Sequence, residues 1–253
     1  MTPPAQPFSP EEIAQLSEQF EHKTPQEILA WAVAEFATDC ALSSSFQTHS
    51  LPLVHMSIQH MPDIRIFFLD TGYHFWDTLI FRERMQVMWG LNMIDLYRDS
   101  KWDTFSQRFG RKLYRVDADL CCFIHKVQPM QKALEGVRAW ITGIRREQTK
   151  ERAHAHILEL QEDGLLRVNP LLNWTQAEVE AYRTAHSLPE HPLLAKGYRS
   201  IGCAPCTRPV RPNESERAGR WDGLGKTECG LHTELFRQKD LDISIAKLIQ
   251  DLP

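Results

Sequence analysis

The chain of 253 residues contains no apolar run approaching the ~20 residues a membrane span requires, so no membrane partner is expected. Met1 to Pro10 lacks both a basic n-region and an apolar h-region and does not read as a secretory signal, which leads to the expectation of a cytoplasmic protein. An excess of positive charge is missing too. The formal net charge is -4, so no global field argues for nucleic acid. Internal repeats and low-complexity tracts are absent. In a reducing compartment, six cysteines argue for metal or redox chemistry rather than a disulfide framework.

What is present is an ordinary globular composition, 42% hydrophobic and 25% charged, long enough for one sizeable α/β domain or two small ones. The basic residues cluster locally at Arg145-Arg146, Lys150 to Arg152 and Arg208 to Arg220. Local clusters in an acidic chain suit a small anionic ligand better than a polynucleotide.

Residues 1–8 read as a disordered lead-in. Ser9-Pro10-Glu11-Glu12, Thr24-Pro25-Gln26-Glu27 and Thr175-Gln176-Ala177-Glu178 are three helix starts with the cap residue and the glutamate of a capping box. Ile64 to Leu69, Leu91 to Tyr97 and Val137 to Ile144 read as strands. Phe75 to Trp89, Lys101 to Phe109 and a helix opened by Cys121-Cys122 and running to Leu134 alternate with them. Asp163-Gly164 marks a hairpin between Ile157–Leu160 and Leu165–Val168. The alternation predicts an α/β fold with a mainly parallel sheet flanked by helices. Residues 1–210 form the main domain in this reading. Residues 211–253 form a mobile C-terminal tail, with a short polar helix from Glu234 to Gln250.

Two loops follow predicted strands, where open α/β sheets bind ligands. Ser43-Ser44-Ser45-Phe46-Gln47-Thr48-His49 precedes a helix and could present hydroxyls and free amides to an anion. It has no glycine, so it is not a glycine-rich phosphate loop; an ordinary capped helix start explains it equally well. Asp70-Thr71-Gly72 follows Leu69 at the next strand end.

The cysteines fall into two pairs and two singles. Cys203-Ala204-Pro205-Cys206 brings two thiolates to one turn, and Cys121-Cys122 could supply two more. Zinc pairs usually keep two to four residues between ligands, whereas a cubane cluster spreads its ligands over four irons. On spacing alone, cluster, zinc and uninvolved thiols stand equal. Cys40, in apolar surroundings, reads as a buried structural thiol. Cys229 stands in a polar segment, Lys226-Thr227-Glu228-Cys229-Gly230-Leu231-His232. Lys226 and His232 favour its thiolate and Glu228 opposes it; a surface thiol with no task is the competing explanation.

Taken together, the Lys226–His232 segment, the two cysteine pairs, Gly197 to Gly202 and Thr207 to Val210 resemble the assimilatory sulfonucleotide reductases, over roughly residues 38–233. The resemblance implies an adenine-nucleotide hydrolase-like fold and a 4Fe-4S cluster on Cys121, Cys122, Cys203 and Cys206. It implies that Cys229 attacks the sulfur of adenylyl sulfate or phosphoadenylyl sulfate, and that thioredoxin or glutaredoxin then releases sulfite from the S-sulfocysteine. It also implies substrate contacts by Ser43, Ser44, Ser45, Leu69, Asp70, Thr71, Gly72, Lys126, Arg145, Arg146, Arg217, Arg220 and His232. A homo-oligomer is compatible with it.

Three departures accompany the resemblance. His125 stands where the family usually has arginine, and Trp221-Asp222-Gly223-Leu224 replaces a more aromatic tail. Ser43 to Phe46 and Asp70 to Tyr73 look closer to the cluster-free branch that uses the 3′-phosphorylated substrate. Competing functions are the same chemistry on that substrate, an ATP-activating nucleotide-binding protein, and a non-catalytic iron–sulfur carrier. The serine loop lacks the glycine and aspartate that ATP activation would need.

Overall fold

The computed structural model describes residues 8–103 and 112–237. The three expected capping boxes all form. Ser9, Thr24 and Thr175 each accept the amide of the glutamate three residues on, and that glutamate accepts the cap amide. They start α1 (Pro10–Phe20), α2 (Pro25–Phe36) and α6 (Gln176–Ala185). Each cap of this kind contributes about 1 kcal/mol. Phe8 packs on Trp31 at a ring separation of 5.8 Å, so the end of the expected disordered lead-in belongs to the fold. The rest of that lead-in lies outside the described residues.

Among the described residues six strands form one sheet: β1 (Cys40–Ser43), β2 (Arg65–Leu69), β3 (Met93–Leu96), β4 (Ala139–Ile141), β5 (Leu158–Leu160) and β6 (Leu166–Val168). Their order is β3-β2-β1-β4-β6-β5. All pairings are parallel except the β5–β6 hairpin, which turns at Asp163-Gly164 as its sequence predicts. β1 is buried on both faces (Cys40, Ala41 and Leu42 are at most 1% exposed), as a central parallel strand must be. Cys40 is the structural thiol expected. Its Sγ–H donates to the Ala32 carbonyl at 3.3 Å, and burial pushes its pKa up to about 12.

One sheet face packs against α1, α2, α3 (Leu51–His60) and α6 around Phe36, Leu42, Ile66 and Phe68. The other packs Phe67, Trp140 and Leu165 against α5, which spans residues 118–133, and the C-terminal tail. Helix α4 (Trp76–Trp89) connects β2 to β3 and ends on Gly90 in the left-handed region. Helix α5 is composite. An α-helical turn (Ala118–Cys122) runs into a π turn (Phe123–Val127) and back into α-helix (Gln128–Ala133). The sequence shows only one apolar helical pattern there. Of the helix expected over Lys101 to Phe109, residues 104–109 lie outside the described residues. Of the one expected from Glu234 to Gln250, only Glu234–Arg237 is described, as a 3-10 turn.

The tail begins by pairing with the Cys203–Cys206 turn. Arg208 N–H donates to Gly219 O at 2.9 Å, Trp221 N–H donates to Cys206 O at 3.0 Å, and Thr207 bridges Arg220. The approach is too close for a side chain at Gly219, where a Cβ would lie 2.1 Å from the Arg208 carbonyl oxygen. Gly219→Ala should therefore lower stability by about 1–3 kcal/mol. In a denaturant titration it should also expose Trp221 before the sheet unfolds; an unchanged Trp221 transition would show that the pairing is not under this constraint.

A candidate nucleotide-thiol site at the sheet switch point

The strand order reverses between β1 and β4, and a cavity opens at the carboxyl ends of these strands and β2. Open parallel sheets form their ligand crevices at this point. Its floor is Leu42 to Ser45, Leu69 and Thr142 to Ile144; His74, Gln148, Arg152, Ile201 and Gly202 wall it, and the tail closes it with Arg217, Arg220, Trp221, Cys229, Leu231 and His232. Lys126 reaches in from the π turn of α5. A π turn advances the following side chains relative to an α-helix, and such turns recur at functional sites.

The serine loop is held by its own polar atoms. Ser43 Oγ accepts from Trp140 Nε1 at 2.9 Å, and Ser44 Oγ accepts from Phe46 N–H at 3.1 Å. Phe46 is fully buried at a φ of 51°. A bulky residue in that region costs about 1–3 kcal/mol, which its packing on Phe68 offsets. Gln47 Oε1 accepts from Ile201 N–H at 2.9 Å, tying the loop to the segment before Cys203.

Of the expected site residues, Ser43, Ser44, Ser45, Leu69, Lys126, Arg217, Arg220, His232 and Cys229 line this cavity. Asp70, Thr71 and Gly72 do not. Asp70 Oδ1 accepts from Gly72 N–H at 3.0 Å to shape the turn, and Thr71 Oγ1 lies 3.3 Å from Cys203 Sγ. Arg145 is buried behind the wall, where it pairs with Glu216 at 3.2 Å; His49 Nδ1 is 2.9 Å from the other oxygen of that carboxylate. Arg146 points away from the cavity and is spent on Glu21, Asn173 and the Ala155 carbonyl. The structure thus does not bring Arg146 to the site. Arg152 stands in its place, from the next basic cluster, seven residues beyond Arg145. The clusters were visible in the sequence, but not which of their arginines faces inward.

Glu228 organises the cations. It is 3% exposed and accepts from Arg152 Nε at 2.6 Å and Nη2 at 2.7 Å, from Arg217 Nη2 at 3.1 Å, and from the Cys229 amide at 2.7 Å. Burial alone would raise its pKa, but Arg152 and Arg217 outweigh that and bring it down to about 2. The sequence suggests Glu228 as a negative neighbour opposing the Cys229 thiolate. In the fold its charge is matched by two guanidinium groups. Trp221, 2% exposed, carries Arg220, Arg217 and Lys226 over its ring at 4.3, 5.7 and 5.9 Å. Lys226 also pairs with Asp119 of α5. Arg220 lies against Gly202, where a Cβ would be 2.2 Å from its Nη2. Nε of both Arg217 and Arg220 is buried with no hydrogen-bond partner among the described residues.

Cys121, Cys122, Cys203 and Cys206 line one small closed cavity with Tyr73, Tyr114, His125 and Lys126. Burial first, and then the neighbouring thiols, push the Cys121 and Cys122 pKa values up. Cys121, Cys122 and Cys203 are buried and Cys206 is partly exposed, so the four thiols share one small cavity as the ligands of a metal centre would. Among the described residues no three His, Cys, Asp or Glu side chains converge closely enough for a single metal ion. His125, neutral in its buried setting, turns Nδ1 to the Cys121 carbonyl at 3.0 Å. Lys126 lines both cavities. Burial opposes its charge, but the combined pull of Cys203, Cys229 and Cys122 raises its pKa and holds it as ammonium.

A crevice at the switch point of a parallel α/β sheet, rimmed by cations and faced by one thiol, fits a protein that binds a small anionic ligand. Residues 39–209 match the phosphoadenosine phosphosulfate reductase domain family, and the chain belongs to it. It is 39% identical over 227 residues to an adenosine 5′-phosphosulfate reductase of Streptomyces coelicolor, spanning 88% of this chain and 95% of the relative. It is 40% identical over 223 residues to one of a Chelativorans species, spanning 87% and 91%. The crystal structure of the phosphoadenylyl-sulfate reductase from Candida auris aligns with a TM-score of 0.68 and 29% identity, over 81% of this chain and all of that one. Yeast FAD synthetase, at 14% identity and a TM-score of 0.53, shares the fold alone.

Because Glu228 has its folded pKa below the ordinary 4.5, the tail docking it provides is complete above about pH 4.5 and is lost as pH falls toward about 2. Glu228→Gln should remove that acid dependence and cost about 3 kcal/mol or more of docking at neutral pH, since it leaves two buried arginines unmatched. Protease sensitivity of the tail against pH measures this; equal profiles for variant and wild type would rule the clamp out.

Proposed function

We propose that the chain reduces adenosine 5′-phosphosulfate to sulfite and AMP through a covalent adduct on Cys229. The single observation that carries this reading is that Cys229 and Lys126 face one cavity together, with Arg152, Arg217 and Arg220 on its walls. In the first step the Cys229 thiolate forms a bond to the substrate sulfur. The bond from that sulfur to the bridging oxygen breaks, and AMP leaves with the electron pair. In the second, a thiolate of thioredoxin or glutaredoxin attacks Cys229 Sγ. Sulfite departs with the electrons of the S–S bond, and the donor's second thiol closes its disulfide, so the two electrons come from the donor dithiol.

The residues have separate tasks. Ser43, Ser44, Ser45 and Leu69 bound the nucleotide cavity. Arg152, Arg217, Arg220 and Lys126 meet the charge of the phosphosulfate, which is preorganised electrostatic stabilisation. His232, which burial and the nearby arginines keep neutral, lies beside them as a hydrogen-bonding rather than a charged group. Cys121, Cys122, Cys203 and Cys206 would hold a 4Fe-4S cluster, which supplies a fixed local charge and order rather than electrons. Lys126 stands between that centre and the substrate. Residues 211–253 act as the catalytic tail that brings Cys229 in and releases it to the partner thiol.

The names of the bacterial relatives support adenosine 5′-phosphosulfate as substrate, and six free thiols suit a reducing cytoplasm. Among the described residues no helix is long and apolar enough to cross a membrane. Mixing the purified protein with adenylyl sulfate without reductant should add the mass of one SO3 group at Cys229 and nothing in Cys229→Ser. An unmodified wild type would overturn the reaction, and faster turnover of the 3′-phosphorylated nucleotide at equal concentration would reverse the substrate assignment. Broad visible absorption lost in Cys203→Ser is expected for the cluster; a colourless protein with stoichiometric zinc would exclude it.

A further inference from the structure

Arg167 is a buried cation on an inner strand of the sheet. Its cross-strand register partners are Glu159 on β5 and Trp140 on β4. These side chains form a row under the tail. Arg167 sits over the Trp140 ring at 5.0 Å and the Phe236 ring at 5.5 Å, and Nη2 donates to the Leu231 carbonyl at 3.3 Å. His232 stacks on the same indole at 6.2 Å with 13° between the planes. Trp140 Nε1 in turn donates to Ser43 Oγ. The sheet alone does not need a guanidinium here. Its pairing with Glu159 is long, 3.4 Å, its Nε has no partner among the described residues, and an apolar side chain of similar volume generally serves a sheet as well. What the guanidinium adds is a hold on Leu231 and Phe236, the first of them two residues beyond Cys229.

We propose that Arg167 is a positioning residue. Through the Leu231 carbonyl and the Trp140–Phe236 sandwich it fixes where the tail presents Cys229 to the nucleotide cavity, and through Trp140 it couples that position to Ser43. The inference rests on the reaction proposed above. Arg167 neither lines the nucleotide cavity nor touches the substrate; it acts on the thiol segment from below.

The test uses the full chain with Arg167→Met, which keeps the volume, and Arg167→Lys, which keeps one donor. Arg167→Met should slow single-turnover sulfonation of Cys229 by adenylyl sulfate at least roughly tenfold, because misplacing a reacting atom by an ångström has effects of that order. AMP affinity should stay within about twofold of wild type, and alkylation of Cys229 by iodoacetamide should become faster. Arg167→Lys should recover part of the sulfonation rate. Sulfonation and alkylation both unchanged in a folded Arg167→Met would overturn the proposal. So would a parallel loss of AMP affinity and rate with unchanged alkylation, which is the mark of a merely structural role. Should Arg167→Met not fold, Phe236→Leu removes the upper half of the sandwich without altering the sheet, and the same two outcomes decide. A wild type that is never sulfonated would sink the reaction itself, and the alkylation rates would then decide the positioning role.

Discussion

The structure depends on how it tolerates four cations, Lys126, Arg152, Arg217 and Arg220, around one crevice in a chain of net charge -4. Buried guanidinium and ammonium groups are costly unless matched, and here the matching is divided. Glu228 takes Arg152 and Arg217. Lys126 has Cys122, Cys203 and Cys229 around it. Trp221 offers its ring face to Arg217, Arg220 and Lys226. Every one of these partners except the cysteine pairs belongs to the tail. Docking the tail therefore completes the electrostatics of the crevice and delivers Cys229 in the same act.

The sheet makes this arrangement possible. The reversal of strand order between β1 and β4 opens the crevice, and the short strands put the serine loop, Leu69 and Thr142 to Ile144 on one rim. The second apolar core, on the α5 face, carries both the helix with Cys121, Cys122 and Lys126 and the residues Leu231 and Phe236 of the tail. The cysteine cavity and the Cys229 segment are thus fixed to one surface. The π turn in α5 sets the angle at which Lys126 leaves it. The Cys203–Cys206 turn is shared between the strand-end Thr71 on one side and the tail residues Trp221 and Arg220 on the other.

Much of this was legible in residue order. The three capping boxes, the Asp163-Gly164 hairpin and the parallel strands come from local rules, with partners within four residues or on a fixed period. So does the Cys203–Cys206 spacing, which places two thiols on one turn. What stayed hidden is what depends on direction. Arg145 and Arg146 are neighbours that the backbone sends to different places, one to Glu216 and one to Glu21. Arg152, which lines the crevice, carries no local mark beyond a basic neighbourhood. Glu228 looked like an opponent of the thiolate because its partners are 76 and 11 residues away. The π turn, Phe123–Val127, leaves no periodic signature distinct from an α-helix over so few residues.

The central claim is that the crevice exists to bring one thiol to the sulfur of a bound sulfonucleotide, with reduction deferred to a separate dithiol. A rapid-quench single turnover with adenylyl sulfate, following AMP, the Cys229 adduct and sulfite together, tests it most directly. AMP and adduct should appear at the same rate and in equal amounts, with sulfite released only when reduced thioredoxin is added. Sulfite appearing together with AMP, without an adduct and without a dithiol, would contradict it.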